Sequence, residues 1–214
     1  MRYFLIAGEA SGDLHAANLM RELKKQDVAA EFCFLGGDLM EKEANKEPII
    51  HYRKMAFMGI INVILNLRTV LGNLKCCKQA LLKFNPDVVI LIDYPSFNLR
   101  VAKFVKKNTS IPVYYYISPK IWAWKEYRIK SIKKYIDKMY CILPFEVDFY
   151  KKHNYAIDYV GNPTVDSVTD FLKKAENKTD FLEKNGLSDK PIVALLSGSR
   201  KQEISKCLPL MANM

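Results

Sequence analysis

MRYFLIAGEASGDLH, residues 1–15, carries an apolar run from Tyr3 to Ala7 that breaks at Gly8 into small and acidic residues, before helical spacing begins at Leu14. The order is strand, tight turn, helix, the opening unit of a parallel α/β sheet. In such a sheet the loop leaving the carboxyl end of a strand lines the ligand crevice, and glycine there lets backbone amides approach a ligand closely. Gly8, Glu9, Ser11, Gly12 and Asp13 are therefore expected on a binding surface. The same spacing also fits a plain βα turn in which Ser11 or Asp13 caps the helix. The run is not G-x-G-x-x-G, and Glu9 would repel a phosphate, so a hydroxyl-rich ligand suits this loop better than a pyrophosphate.

Outward from this unit the alternation continues. Residues 31–35 read as a second strand closing on Gly36 and Gly37, and residues 88–92 (VVILI) as a strand covered on both faces, with Asp93 at its carboxyl end. An acid at that rim is in the position of a catalytic or ligand-binding group, although it is also near enough to cap the helix expected over 97–107. Further strands are expected at 112–117, 138–143 and 155–160, with a helix over 144–152 that opens with Pro, Glu and Asp. The fold class is thus α/β, a Rossmann-like parallel sheet with helices on both faces. Past Thr164 the chain turns polar. We expect a first domain over 1–175, a linker over 176–190, and the start of a second α/β domain over 191–214, where PIVALL (191–196) reads as a buried strand.

With half its 214 residues hydrophobic the chain is globular, and 33 Lys plus Arg against 23 Asp plus Glu leave a formal charge of +10. That balance favours anionic partners: nucleic acid, a membrane surface or phosphorylated substrates. No nucleic-acid motif accompanies the basic run Lys125, Arg128, Lys130, Lys133 and Lys134, so nucleic acid is not expected as a partner. Five cysteines without a C-x-x-C pair signal neither a disulfide framework nor a zinc site. The first apolar run ends too soon for a secretory signal, so a cytosolic start at Met1 is expected. Nothing approaches the roughly 20 apolar residues of a spanning helix.

Two stretches stand out. In 55–74, Ile60, Ile64, Leu67, Leu71 and Leu74 share one helical stripe suited to a core, while Met58, Ile61 and Leu65 fall on another face. A helix apolar on two faces is either sandwiched between protein layers or dips into a bilayer interface, with nearby lysines drawn to anionic lipid. The second stretch, SPKIWAWK (118–125), holds both tryptophans. Trp122 and Trp124 either plug a gap or wall a pocket, with Lys120 and Lys125 placed for a phosphate.

Taken together, GEASGDLH (8–15), IDYPSFN (92–98), SPKIWAWK, GNP (161–163) and SGSR (197–200) resemble the lipid-A-disaccharide synthase family, in order and across nearly the whole chain. The resemblance implies the amino-terminal half of a GT-B fold, two Rossmann-like domains facing across a cleft. It implies an inverting, cofactor-free and metal-independent transfer of 2,3-diacylglucosamine from its UDP derivative onto 2,3-diacylglucosamine 1-phosphate. The product is the β-1,6-linked lipid A precursor, with release of UDP. No D-x-D metal motif occurs in the chain.

Carried over onto the matching positions, Asp93 is the candidate general base. Glu9 and Ser11 hold sugar hydroxyls, and Gly8, Gly12, Asp13, Asn98, Lys120, Trp122, Asn162 and Ser199 complete the substrate-facing set. Arg200 steadies the charge growing on the UDP leaving group. Acylated substrates imply a peripheral protein on the cytoplasmic face of the inner membrane, touching its anionic surface through Met58, Ile61 and Leu65. Because the sequence stops at Met214, it is expected to bind the acceptor without completing transfer by itself. A non-catalytic membrane module binding phosphorylated glycolipid is the alternative. A relative acting on UDP-N-acetylglucosamine, such as the peptidoglycan glycosyltransferase or the epimerase, is a third, against which the SPKIWAWK loop argues.

Overall fold

The computed structural model describes residues 1–55, 67–198 and 201–213. Its centre is a six-stranded sheet of β1 (Arg2–Ala7), β2 (Glu31–Leu35), β3 (Val88–Ile92), β4 (Val113–Tyr116), β5 (Lys138–Cys141) and β6 (Asp158–Tyr159). All neighbours are parallel, in the order β2-β1-β3-β4-β5-β6. The direction of winding reverses between β1 and β3, and such a switch point opens a crevice at the carboxyl ends of those two strands.

The strand sequences explain why the sheet is buried on both faces. Phe4, Ile6, Cys33, Leu35, Val89, Leu91, Val113 and Tyr115 point one way, Tyr3, Leu5, Ala7, Phe32, Phe34, Val88, Ile90 and Ile92 the other. Helix α1 (Ala10–Gln26) brings Ala16, Ala17 and Met20 to the second face, and α2 (Asp38–Ala44) brings Met40. On the first face lie α3 (Leu67–Phe84), with Cys77 and Leu81, and α4 (Pro95–Asn108), with Val101, Ala102 and Val105. Each fully buried Leu, Ile or Phe contributes about 1.5–3 kcal/mol. Pro95 opens α4 at a position where its missing N–H has no partner to lose. Helices α5 (Ile129–Tyr135) and α6 (Phe145–Lys152) follow β4 and β5. All five cysteines are free.

Several expectations shift. α1 starts at Ala10, so most of GEASGD forms the first helical turn rather than a loop. In the expected core stripe, Leu74 packs against the core, but Leu67 and Leu71 are 48% and 51% exposed. The buried pair on α3 is Cys77 and Leu81, one helical turn apart, so it is the carboxyl-terminal part of the helix that meets the sheet. Ile60 and Ile64, and with them Met58, Ile61 and Leu65, lie outside the described residues. No described helix is long and apolar enough to cross a membrane.

The chain divides into two compact units, 1–166 and 167–214. The boundary is crossed by α7 (Pro163–Leu172), and the second unit adds α8 (Lys178–Lys184) and α9 (Lys201–Ala212). The stretch expected as linker therefore contains a helix, started by Asn177, whose Oδ1 accepts from the Asp180 amide at 2.9 Å. PIVALL does not form a strand: residues 191–198 are irregular. A strand needs a hydrogen-bonded neighbour, and the second unit has no other among its described residues.

Candidate active site at the β1/β3 switch point

The strand register builds the site. Ala7 lies opposite Ile92, and Ile92 opposite Tyr116, so Gly8, Asp93 and Ile117 form one row at the carboxyl edge of the sheet. Three positions at this edge carry left-handed backbone: Asp93 at φ +42°, Tyr94 at +46° and Ile117 at +63°. For residues with a Cβ, and above all for a β-branched isoleucine, such angles cost on the order of 1–3 kcal/mol each and persist only when their surroundings over-determine them.

Those surroundings are identifiable. The Tyr115 hydroxyl donates to the Asp93 carbonyl at 2.5 Å, and Asn98 Nδ2 donates to the same oxygen at 2.7 Å and to the Ile92 carbonyl at 3.2 Å. The Asp93 amide donates to the Tyr116 carbonyl at 3.3 Å. Tyr94 turns back over Gly8 and donates its hydroxyl to the Met55 carbonyl at 2.7 Å. A Cβ at Gly8 would stand 2.3 Å from Tyr94 Cδ1, so glycine is required there to seat the ring. With its backbone held on both sides, the Asp93 side chain is left half-buried at the crevice. Burial raises its carboxyl above the ordinary value, the neighbouring Glu9 raises it further, and the Tyr94 amide and the Lys120 charge act in the opposite direction.

The first turn distributes its residues otherwise. Asp13 is 2% exposed, and its carboxylate accepts from the amides of Gly37 (2.7 Å), Leu39 (3.0 Å) and Met40 (3.2 Å). It caps α2, a helix other than its own, and its oxygens are committed to backbone. Gly12 lets α1 close on β1, since a Cβ there would lie 3.3 Å from that of Ala7. Glu9, half-buried, and Ala10 and Ser11, exposed, are the members of the turn that reach the surface.

The loop after β4 forms the facing wall. Ser118 is buried, Lys120 and Trp122 are exposed, and Glu146 ties Ser118 and Trp122 together. Glu146, on the first turn of α6 and 1% exposed, accepts from Ser118 Oγ at 2.6 Å and Trp122 Nε1 at 3.2 Å through one oxygen, and from the Leu143 amide at 3.2 Å through the other. The Trp122 ring also meets Phe145 edge-on at 5.0 Å, so this indole packs, while Trp124 stays 61% exposed. Asn98 and Asn162, both expected to face substrate, have backbone partners: Asn98 as described, and Asn162 through Oδ1, which accepts from the Thr164 amide at 3.0 Å at the start of α7. Ser199 and Arg200 lie outside the described residues. Among the described residues no group of three or more His, Cys, Asp or Glu side chains is arranged to hold a metal ion.

Residues 3–214 match the family model of lipid-A-disaccharide synthetase. The chain belongs to this family. It is 43% identical over 207 residues to the lipid-A-disaccharide synthase of Coxiella burnetii (strain Dugway 5J108-111), an alignment covering 97% of this chain and 54% of the relative. To that of Myxococcus xanthus (strain DK1622) it is 42% identical over 211 residues, 98% of this chain and 54% of the relative. The chain thus spans about half the length of the relatives it matches. Among solved structures it is similar to the UDP-GlcNAc 2-epimerase of Neisseria meningitidis bound to UDP-GlcNAc, with a TM-score of 0.61 at 12% identity over 86% of this chain and 52% of that one. The UDP-N-acetylglucosamine 2-epimerase of Rickettsia bellii is similar to the same degree, at 0.61 and 13% over 88% and 52%. At such identities the likeness is one of fold, a Rossmann-like parallel sheet.

Within this chain, the residues that sequence reading missed are those that hold Asp93 and the tryptophan loop from a distance. Tyr115 is one of three consecutive tyrosines in β4, and nothing local marks the middle one. Glu146 reads as a helix-opening acid, and its partners stand 24 and 28 residues away. The one available signal was its place just after Pro144, where a carboxylate meets the free amides of a helix start.

Proposed function

We propose that this chain is the acceptor-binding half of an inverting glycosyltransferase that moves 2,3-diacylglucosamine from its UDP derivative onto 2,3-diacylglucosamine 1-phosphate, forming the β-1,6-linked disaccharide. Asp93 takes the proton from the acceptor 6-hydroxyl as that oxygen attacks the anomeric carbon and UDP departs. A carboxyl raised by burial and by Glu9 is, once ionised, a stronger base than an ordinary one. Glu9 and Ser11 orient hydroxyls at the mouth of the crevice. Ser199 and Arg200 serve the UDP side, and 191–214 begins the domain that holds the nucleotide. The observation that carries this reading is Asp93 itself, kept in strained backbone at the switch point of a sheet that belongs to this family. In a chain of the relatives' length, Asp93→Asn is expected to slow transfer about a hundredfold or more, within the usual range of ~10²–10⁴ for a lost general base. Retention of more than a tenth of the activity sinks the assignment.

The protein works at the cytoplasmic face of the inner membrane, where both lipid substrates reside. Supporting this are the positive formal charge and the exposed leucines 67 and 71 at the start of α3, which continue the apolar segment containing Met58, Ile61 and Leu65. Replacing those last three with serine is expected to release the protein from anionic liposomes in a sedimentation assay. Unchanged binding would remove them from the membrane contact.

A further inference from the structure

Three cations stand close together in sequence after β4. Lys120, Lys125 and Arg128 follow β4 in one loop and turn, and none makes an ion pair among the described residues. The acid lying between them in sequence, Glu126, is directed instead to His153, 3.1 Å from its Nε2. Arg128 is oriented: its Nη2 donates to Ser96 Oγ at 2.7 Å, three residues past Asp93. Lys125 has left-handed backbone, φ +58°, and the bend aims both side chains at one indole. Lys125 Nζ is 4.1 Å and the Arg128 guanidinium carbon 5.8 Å from the centre of the exposed Trp124 ring. The Arg128 charge reaches Tyr115, whose hydroxyl holds the Asp93 carbonyl, and the Lys120 charge reaches the Asp93 carboxyl. Charge is therefore segregated, with carboxylates on the turns after β1 and β3 and cations after β4, of which Lys120 acts on Asp93 and Arg128 on Tyr115.

Like charges brought together repel, and an anion between them reverses the sign of that interaction. A guanidinium fork is suited to two oxygens of a phosphate, and an ammonium supplies a further point charge. We propose that Arg128, assisted by Lys125 and the face of Trp124, is a phosphomonoester subsite that holds the 1-phosphate of the sugar acceptor while Asp93 faces its hydroxyl. This rests on the acceptor reading above and adds to it the residues that select a phosphorylated sugar. Ser96 is the positioning residue of the pair, fixing the guanidinium without touching the ligand.

Both tryptophans of the chain lie in this loop, so fluorescence of the 214-residue protein reports on it directly. Titration with glucosamine 1-phosphate is expected to give a saturable change, with glucosamine, inorganic phosphate and UDP each at least tenfold weaker. Arg128→Gln is expected to lose at least tenfold in affinity, and Arg128→Lys, which keeps the charge without the fork, to fall between. Should Arg128 variants fail to fold, as judged by circular dichroism, Lys125→Gln at a solvent-facing position is expected to weaken binding at least threefold. The subsite is overturned if glucosamine binds as tightly as its phosphate, or if Lys125→Gln and every folded Arg128 variant bind like the parent. It is equally overturned if inorganic phosphate, UDP or phosphatidylglycerol vesicles give the Arg128-dependent response and glucosamine 1-phosphate does not. Failure of the Asp93→Asn test would leave phosphate binding in place, so the two assignments fall separately.

Discussion

The turns after β1 and β3 lie side by side at one edge of the sheet and use their residues in opposite ways. The first is rich in glycine and acid, the composition of a ligand loop, yet Gly8 makes room for Tyr94, Gly12 lets a helix close on a strand, and Asp13 caps α2. The second has no glycine at all and adopts left-handed backbone regardless, at Asp93 and Tyr94. Hydrogen bonds from Tyr115 and Asn98 hold the Asp93 carbonyl. Gly8, Gly12 and Asp13 of the first turn thus support the plainer turn beside it, α1 and α2. In the strained turn the Asp93 carboxyl stays half-buried at the edge of the sheet.

The largest effect that separates the two turns is on stability. Asp13→Ala strands three backbone amides at or near the start of α2 and removes a buried charged acceptor, so a loss of about 3 kcal/mol or more is expected in urea denaturation. Asp93→Asn, by contrast, should leave the unfolding midpoint close to the parent, because asparagine accepts positive φ more readily than most residues. A stable Asp13→Ala variant would erase the distinction.

Gly8→Ala comes next. Its Cβ would meet the Tyr94 ring, and displacing the ring is expected to cost about 1–3 kcal/mol, as overpacking does. The same substitution made in a Tyr94→Leu background should cost less, and equal costs would show that the turns are not coupled through that ring.

The smallest effect is a slope with pH. The folded carboxyl of Asp93 is raised above its ordinary 3.8 by burial and by Glu9, so between that value and the raised one the native state binds more protons than the unfolded state. Stability from this group is full below 3.8 and declines as pH rises through the folded value. Subtracting the Asp93→Asn unfolding profile from that of the parent should leave this decline, and a difference rising with pH would reverse the assigned environment.

Much of the sheet is legible in the sequence, because strands buried on two faces are continuous apolar runs: β2 and β3 fall where 31–35 and 88–92 place them. The place of Asp93 at the sheet edge is legible for the same reason, at the end of VVILI. What local reading misses is commitment at a distance. The oxygens of Asp13 meet amides 24 to 27 residues on, and Asn98 looks like a polar site residue until its amide is found on the carbonyls of Ile92 and Asp93. Local apolarity also overstates structure where no neighbour is supplied, as in PIVALL. There the composition is that of a strand and the backbone is irregular.

That segment has a practical consequence. Val193 and Leu196 are 82% and 85% exposed, in a run of β-favouring residues broken only by the proline before it. Unpaired and apolar, it can template pairing with the same run in another molecule, the geometry from which aggregates grow. Concentrated solutions of the 214-residue chain are therefore expected to be limited by these six residues and not by the well-buried sheet of the first unit.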